Sequence, residues 1–180
     1  MPTPLEHFAE MKSFLSFSDQ DAANLQSLAP VFARHGAGIT DRFYEVLGRF
    51  AGTSAQIEGR VDVLKATHSR WMGDLFSGTY GDDYFQGRLR IGQAHVRIGL
   101  DPLYVEGVMS IIRSDALAAM ATEISDASEL VSKYQSLLKI LDIDLMIINF
   151  AYAEERLDRL AGFTGMKRSL IENVIRKAKR

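Results

Sequence analysis

The sequence predicts an all-α fold, and three observations predict it. Apolar residues recur at three- and four-residue spacing along most of the chain, only four prolines interrupt 180 residues, and no Asn-Gly or Asp-Gly hairpin signal or strand-like alternation appears. A chain of this length that is 47% apolar can bury one sizeable core, so a single domain is expected.

The elements follow in order. A short amphipathic segment runs from about Leu5 to Leu15. Ser18 followed by Asp21 resembles a capping box and opens a helix expected to reach about Leu28. Pro30 fits the first turn of a further helix to about Gly48, which carries Phe32, Ile39, Phe43, Tyr44 and Leu47. Gly36 and Gly38 weaken that helix or allow close packing. The stretch Ala51 to Gly59 reads as a loop or short turn. From about Arg60 to Phe76, Val63, Leu64, Thr67, Trp71 and Leu75 mark an amphipathic helix, ended by Ser77 to Gly81. Asp82 or Asp83 can cap the next helix, which runs through His95. The run Ile98-Gly99-Leu100-Asp101-Pro102 then breaks the chain three residues after a histidine. Two long helices follow, about Pro102 to Ile124 and Ala127 to Leu160, and a polar helical segment from about Thr164 to Lys179 is expected outside the core.

Formal charge is −2, too small for a global field that attracts nucleic acid or an anionic membrane. It is unevenly placed: Lys167, Arg168, Arg176, Lys177, Lys179 and Arg180 against Glu172 give the last fifteen residues +5, which leaves −7 on the rest. A solvated helix end or linker explains this more simply than a binding tail. The lack of cysteine removes disulfides, thiolate metal sites and cysteine nucleophiles, and points to a cytoplasmic setting. The N-terminus lacks a signal-peptide pattern, and Asp142, Asp144 and Asn149 interrupt the longest apolar stretch, so no membrane span is expected.

Four histidines are candidates for chemistry. His7 and His35 read as surface residues. His95 ends a helix beside Gly92, and the break after it can keep a space open for its imidazole; an ordinary structural histidine fits the same local pattern. A haem needs one strong axial nitrogen, a wide apolar slot and a hydrogen-bond donor near the bound gas. His95, the apolar helix faces, and the hydroxyls of Tyr44 and Thr67 can meet these demands, although Tyr44 on a half-buried face has an equally simple structural reading.

The run RIGQAHVRIGLDPLYVEGVMSII, Arg90 to Ile112, resembles the proximal-histidine signature of the globin-coupled sensor and protoglobin group. There a histidine is followed by Ile-Gly-Leu-x-Pro and an aromatic; here these are His95, Ile98, Gly99, Leu100, Pro102 and Tyr104. RFYEVL around Phe43 and Tyr44 resembles the distal-tyrosine helix of that group, and VLKATHSRWMGDLFSG, Val63 to Gly78, its distal helix. The resemblance covers about residues 5 to 160.

It implies a globin-like helical sandwich with an extra N-terminal helix and two long C-terminal helices that form a dimer bundle. It also implies haem b (iron protoporphyrin IX), with His95 as proximal iron ligand, its other ring nitrogen held by a backbone carbonyl or water. Tyr44 would be the donor to the gas, Leu64 an apolar gate, and Thr67 the inward residue of the distal helix. Phe43, Ile98 and Tyr104 would line the haem. His68 is the alternative distal ligand, since some relatives bind iron through a histidine here; by spacing to His95, Thr67 faces inward and His68 turns about 100° away. Trp71 reads as core.

Leu130, Tyr134, Leu137, Leu138, Leu141, Leu145, Ile148 and Tyr152 form one apolar stripe, and Ile140, Ile143, Met146, Ile147 and Phe150 extend it around the helix. The implied dimer accounts for the second face; burial of one face under a covering loop is the alternative. The resemblance makes residues 1–162 a sensor for dioxygen, and also for carbon monoxide or nitric oxide, with residues 163–180 a tail or linker towards an output module. A haem enzyme consuming a gas or peroxide, and a haem-free globin-like signalling module, are the competing functions.

Overall fold

The computed structural model describes residues 3–177. Its secondary structure consists of α1 (Pro4–Phe14), α2 (Asp19–Gly48), α3 (Ala51–Ile57), α4 (Val61–Leu75), α5 (Asp82–Arg97), α6 (Pro102–Glu123), α7 (Ala127–Thr164) and α8 (Arg168–Lys177). All-α architecture is what the periodicity predicts. Lys179 and Arg180 of the basic tail lie outside the described residues.

Thr3 with Glu6 and Ser18 with Asp21 form reciprocal capping boxes on α1 and α2. Here the expected division of α2 fails. Pro30 sits inside one 30-residue helix rather than at the start of a second. An interior proline costs about 3 kcal/mol, but Leu25, Leu28, Val31 and Phe32 on both sides of it are buried. Burying several such side chains at roughly 1.5–3 kcal/mol each outweighs one lost bond and keeps the axis continuous.

A second correction concerns residues 51–57, a helix rather than a loop. Thr53 is buried and donates its hydroxyl to the Leu47 carbonyl at 2.5 Å, tying α3 to the end of α2. The cap of α5 is also corrected: Gly81 is the N-cap and no side chain bonds there.

α7 lies at the centre, packed on α5, α2 and α6, with α1 across α5 and α7. Gly92 makes the α5 contact possible, because a Cβ there would lie 2.5 Å from the Ala151 Cβ and 3.0 Å from the Ile148 carbonyl oxygen. α2 packs against α4 on its other side. Ile140, Ile143 and Ile147 are fully buried within the single chain, so much of the second apolar face of α7 is covered by neighbouring helices and needs no partner. α8 folds back on α7: Ile171 is buried, and Arg168 pairs with Glu154, Asp158 and Glu172. The expectation that this segment stays wholly outside the core is therefore corrected.

A buried charge cluster joins three helices. Asp144 of α7 is fully enclosed and accepts from Trp71 Nε1 at 2.9 Å, Tyr84 Oη at 2.5 Å and Arg88 Nε at 2.8 Å. Arg88 also donates to the Trp71 carbonyl at 3.0 Å and to Asp74 at 2.9 Å. Burial pushes the Asp144 carboxyl up, against Arg88 and the Tyr84 and Trp71 donors. Three donors converging on two oxygens are the partners an ionised carboxylate needs. Among the described residues, no helix is long and apolar enough to cross a membrane.

Candidate functional site

A cavity of about 230 Å³ opens between α4 and the α5–α6 corner, roofed by α2 and α3. An engineered apolar cavity of about 150 Å³ holds benzene, so this space suits a ligand larger than a single ring. Its wall is mainly apolar: Phe43, Leu47, Ile57, Leu64, Trp71, Ile91, Ile98, Leu100, Val105, Val108, Met109, Ile112 and Ile148. The polar groups among these are few: Tyr44, Thr53, Gln56, Arg60, Thr67, His68, His95 and Tyr104.

His95 reaches the cavity from the last turn of α5. Beyond it the chain reverses: the Gly99 N–H donates to Val96 O and the Leu100 N–H to His95 O, with Gly99 left-handed at φ 69°. Asp101 then caps α6 by accepting from the Leu103 N–H at 2.9 Å, and Pro102 fills the first turn. Tyr152 of α7 donates to the Leu100 carbonyl at 2.8 Å, fastening the corner to the central helix. The break motif thus keeps α6 clear of the His95 imidazole. Burial holds His95 neutral, pushing its pKa down to about 4. Its Nδ1 is buried and meets no protein acceptor, so of the two expected partners, a backbone carbonyl or water, the carbonyl is not the one.

Across the cavity, α4 presents His68. Its Nδ1 lies 2.9 Å from Thr40 Oγ1, its Nε2 is buried without a partner, and its ring touches Phe43 and Trp71 with centroids 4.5 and 4.8 Å away. Burial pushes its pKa down to about 4 as well. This corrects the inward assignment. Thr67 lines the cavity rim, is exposed and donates its hydroxyl to the Val63 carbonyl at 3.0 Å, whereas His68 is the enclosed residue.

Tyr44 is half-buried beside Phe43, ring centroids 4.4 Å apart, and burial pushes its phenol up to about 12, so it stays a proton donor near neutral pH. Phe43 is buried and Leu64 partly so, while Ile98 lies at the rim at 50% exposure. Tyr104 lies over α3: a Cβ on Gly52 would stand 2.1 Å from its hydroxyl. Phe43, Tyr44, Leu64, Thr67, His68, His95, Ile98 and Tyr104 are therefore gathered around one space. The two remaining histidines lie elsewhere: His35 pairs with Glu123 at 3.0 Å and His7 packs on Phe150.

Two further lining residues were not singled out from the sequence: Gln56, whose Oε1 is buried without a partner, on the stretch read as a loop or short turn, and Arg60 at the rim, where the next helix was expected to start. It also missed Thr40, which shows only as a polar residue on an apolar face. His68 had a signal: Leu64, His68, Trp71 and Leu75 recur at 4-3-4 spacing, one stripe of α4.

The chain matches the protoglobin family over residues 5–158. It is 28% identical over 160 residues to the heme-based aerotactic transducer HemAT of Halobacterium salinarum, an alignment covering 82% of this chain and 33% of that one. The chain therefore spans about a third of the length of that curated relative. The globin domain of the Geobacter sulfurreducens globin-coupled sensor superposes with a TM-score of 0.76 at 33% identity, over 80% of this chain and 96% of that one. The ferrous globin domain of E. coli DosC gives a TM-score of 0.67 at 17% identity over 78% and 96%, a likeness of fold. With the family match spanning the helices that build the cavity, and a globin-like helical fold, the chain belongs to the protoglobin family.

Proposed function

We propose that this chain is a haem-based gas-sensing globin domain that binds haem b, with His95 as proximal iron ligand. The observation that carries the reading is the pair of neutral, buried histidines, His95 on α5 and His68 on α4, each with an unpartnered ring nitrogen and both lining one apolar cavity. At His68 the unpartnered buried Nε2 costs about 1–3 kcal/mol, which a metal ion would offset; at His95 the unpartnered atom is Nδ1, and its place at the cavity beside the chain reversal makes it the candidate ligand. The lining also suits a porphyrin: apolar on its faces, with Arg60 at the rim where carboxylates would reach solvent.

Bound haem would supply an iron able to take dioxygen, carbon monoxide or nitric oxide. The chain supplies selection. Tyr44 donates a hydrogen bond to the gas, which favours dioxygen because its outer atom carries more negative charge than that of carbon monoxide. Leu64 narrows the approach, and Thr67 borders it. His68, with its free Nε2 in the cavity wall, would be the second residue able to hold the iron when no gas is bound. Phe43, Ile98 and Tyr104 would line the haem. Such a domain is a sensor rather than an enzyme, consistent with the aerotactic transducer and globin-coupled sensor among its relatives.

The signal leaves through α6 and α7. Exposed Leu117 and Val131, on either side of the turn between these helices, and Leu160 and Phe163 at the far end of α7 supply apolar surface for a homodimer. An output module would follow, and the chain would turn towards it at left-handed Gly165 rather than at residue 162, because α7 continues to Thr164. Neither nucleic acid nor membrane is needed as a partner, and a cytoplasmic site is expected.

Replacing His95 by alanine tests the assignment. The wild-type chain, reconstituted with haemin, is expected to show a strong Soret band that moves on reduction and again on adding gas. The variant is expected to lose the haem or show altered ligation; an unchanged spectrum would defeat His95 as ligand.

A further inference from the structure

We propose that Thr40 presents His68 to the iron, by fixing its imidazole in the tautomer whose Nε2 carries the free lone pair. The proposal rests on the haem reading above. Thr40 is a buried residue of α2, and its hydroxyl stands 2.9 Å from the Gly36 carbonyl oxygen and 2.9 Å from His68 Nδ1. A hydroxyl has one proton to donate and two lone pairs with which to accept. The carbonyl can only accept, so the proton of Thr40 goes to Gly36. The contact with His68 must then run the other way: Nδ1–H donates and the Thr40 oxygen accepts.

The neutral imidazole, the form that can bind a metal, carries one proton. With that proton on Nδ1, Nε2 is left with its lone pair, and it is the atom that lies buried without a partner. A histidine held as a donor at one nitrogen and free at the other is prepared to bind a metal, and its outer hydrogen bond fixes both tautomer and ring orientation. Phe43 and Trp71 lie against the ring and limit its rotation. The two cavity histidines are therefore not equivalent. His95 has no protein acceptor for Nδ1, whereas the tautomer of His68 is set from α2. Thr40 is thus a positioning residue: it touches neither iron nor gas.

The test uses the full chain reconstituted with haemin, compared as wild type, Thr40→Val and Thr40→Ser. Valine keeps the branched shape and removes the acceptor; serine restores it. In the wild type a ferric spectrum of the low-spin bis-histidine kind is expected. In Thr40→Val the ratio of His68-bound to His68-free iron is expected to fall about tenfold or more. The readouts are conversion of ferric low-spin to high-spin absorption and a matching rise in the rate of carbon monoxide association with the reduced protein. Thr40→Ser is expected to return both towards wild type, with haem content per chain equal in all three. A low-spin wild type with an unchanged Thr40→Val spectrum overturns the role of Thr40 and leaves His68 as ligand. A wild type that holds haem but stays high-spin overturns both. Failure of the wild type to take up haem defeats the haem reading itself.

Discussion

Tyr44, His68 and His95 divide the work of the cavity by what burial does to each. The phenol of Tyr44, pushed up to about 12, keeps its proton across the physiological range and can always donate. Tyr44→Phe is expected to speed oxygen dissociation by about tenfold, the equivalent of one lost hydrogen bond, with a smaller effect on carbon monoxide. Equal effects on both gases would mean that another group, such as Gln56, is the donor. The histidines behave oppositely. Both are pushed down to about 4 in the folded chain, against about 6.5 in an unfolded one. As pH falls from about 6.5 towards 4, the unfolded chain takes up protons that the folded one refuses, so stability drops over that window. For the haem-free protein, melting measured across this range is expected to fall more steeply in wild type than in His68→Gln; parallel slopes would contradict a buried neutral His68. At this scale the place of His95, at a chain reversal beside a cavity, was legible because the break motif after it is a local signal. It misplaced Thr67 against His68, since neighbouring helical positions differ by about 100° and spacing to a histidine on another helix does not fix the rotation of α4.

α5 and α7 meet where Gly92 lets the backbones approach, and His95 lies three residues further along α5. Glycine to alanine inside a helix ordinarily gains about 1 kcal/mol. Here the added Cβ would stand 2.5 Å from Ala151, and overpacking of that kind costs about 1–3 kcal/mol. Gly92→Ala is therefore expected to lower the melting temperature and disturb the proximal side of the haem spectrum; a more stable variant would contradict the packing. The Asp144 cluster ties α4 and α5 to α7 in the same region. Asp144→Asn removes the charge facing buried Arg88 and is expected to cost about 3–5 kcal/mol, while Asp144→Leu with Arg88→Met should recover much of it. Calorimetry on the single and double variants distinguishes this from a surface pair. The borders of α4 and α6 were legible to within a residue or so, because Gly59, Gly78 and Pro102 mark three of their four ends and Asp126 caps the helix that follows the fourth. Pro30 was not: the same residue opens one helix or interrupts another, and burial of Leu25 to Phe32 decides which. Asp144 was legible only as an interruption of an apolar run; its partners, Trp71 and Arg88, are distant in sequence.

For the whole molecule, the all-helical class and the family were readable from periodicity and from the motifs around Tyr44, Leu64 and His95, while the burial of α7 was not. Its two apolar faces suggested a dimer, yet α1, α2, α5 and α6 take up much of that surface. What is left exposed includes Leu117, Val131, Leu160 and Phe163. A homodimer built on it is expected to sediment at about twice the 20.1 kDa chain mass, and Leu117→Glu with Val131→Glu to return it to the mass of one chain; a wild type that sediments as one chain contradicts the dimer. Whether this cavity holds a haem whose gas binding is reversible is read from the absorption spectrum of the reduced, haem-loaded protein before and after exposure to oxygen. A Soret band that shifts on oxygenation and returns when the gas is removed is expected. No Soret band after haemin supplementation, or a band indifferent to oxygen and carbon monoxide alike, would contradict it.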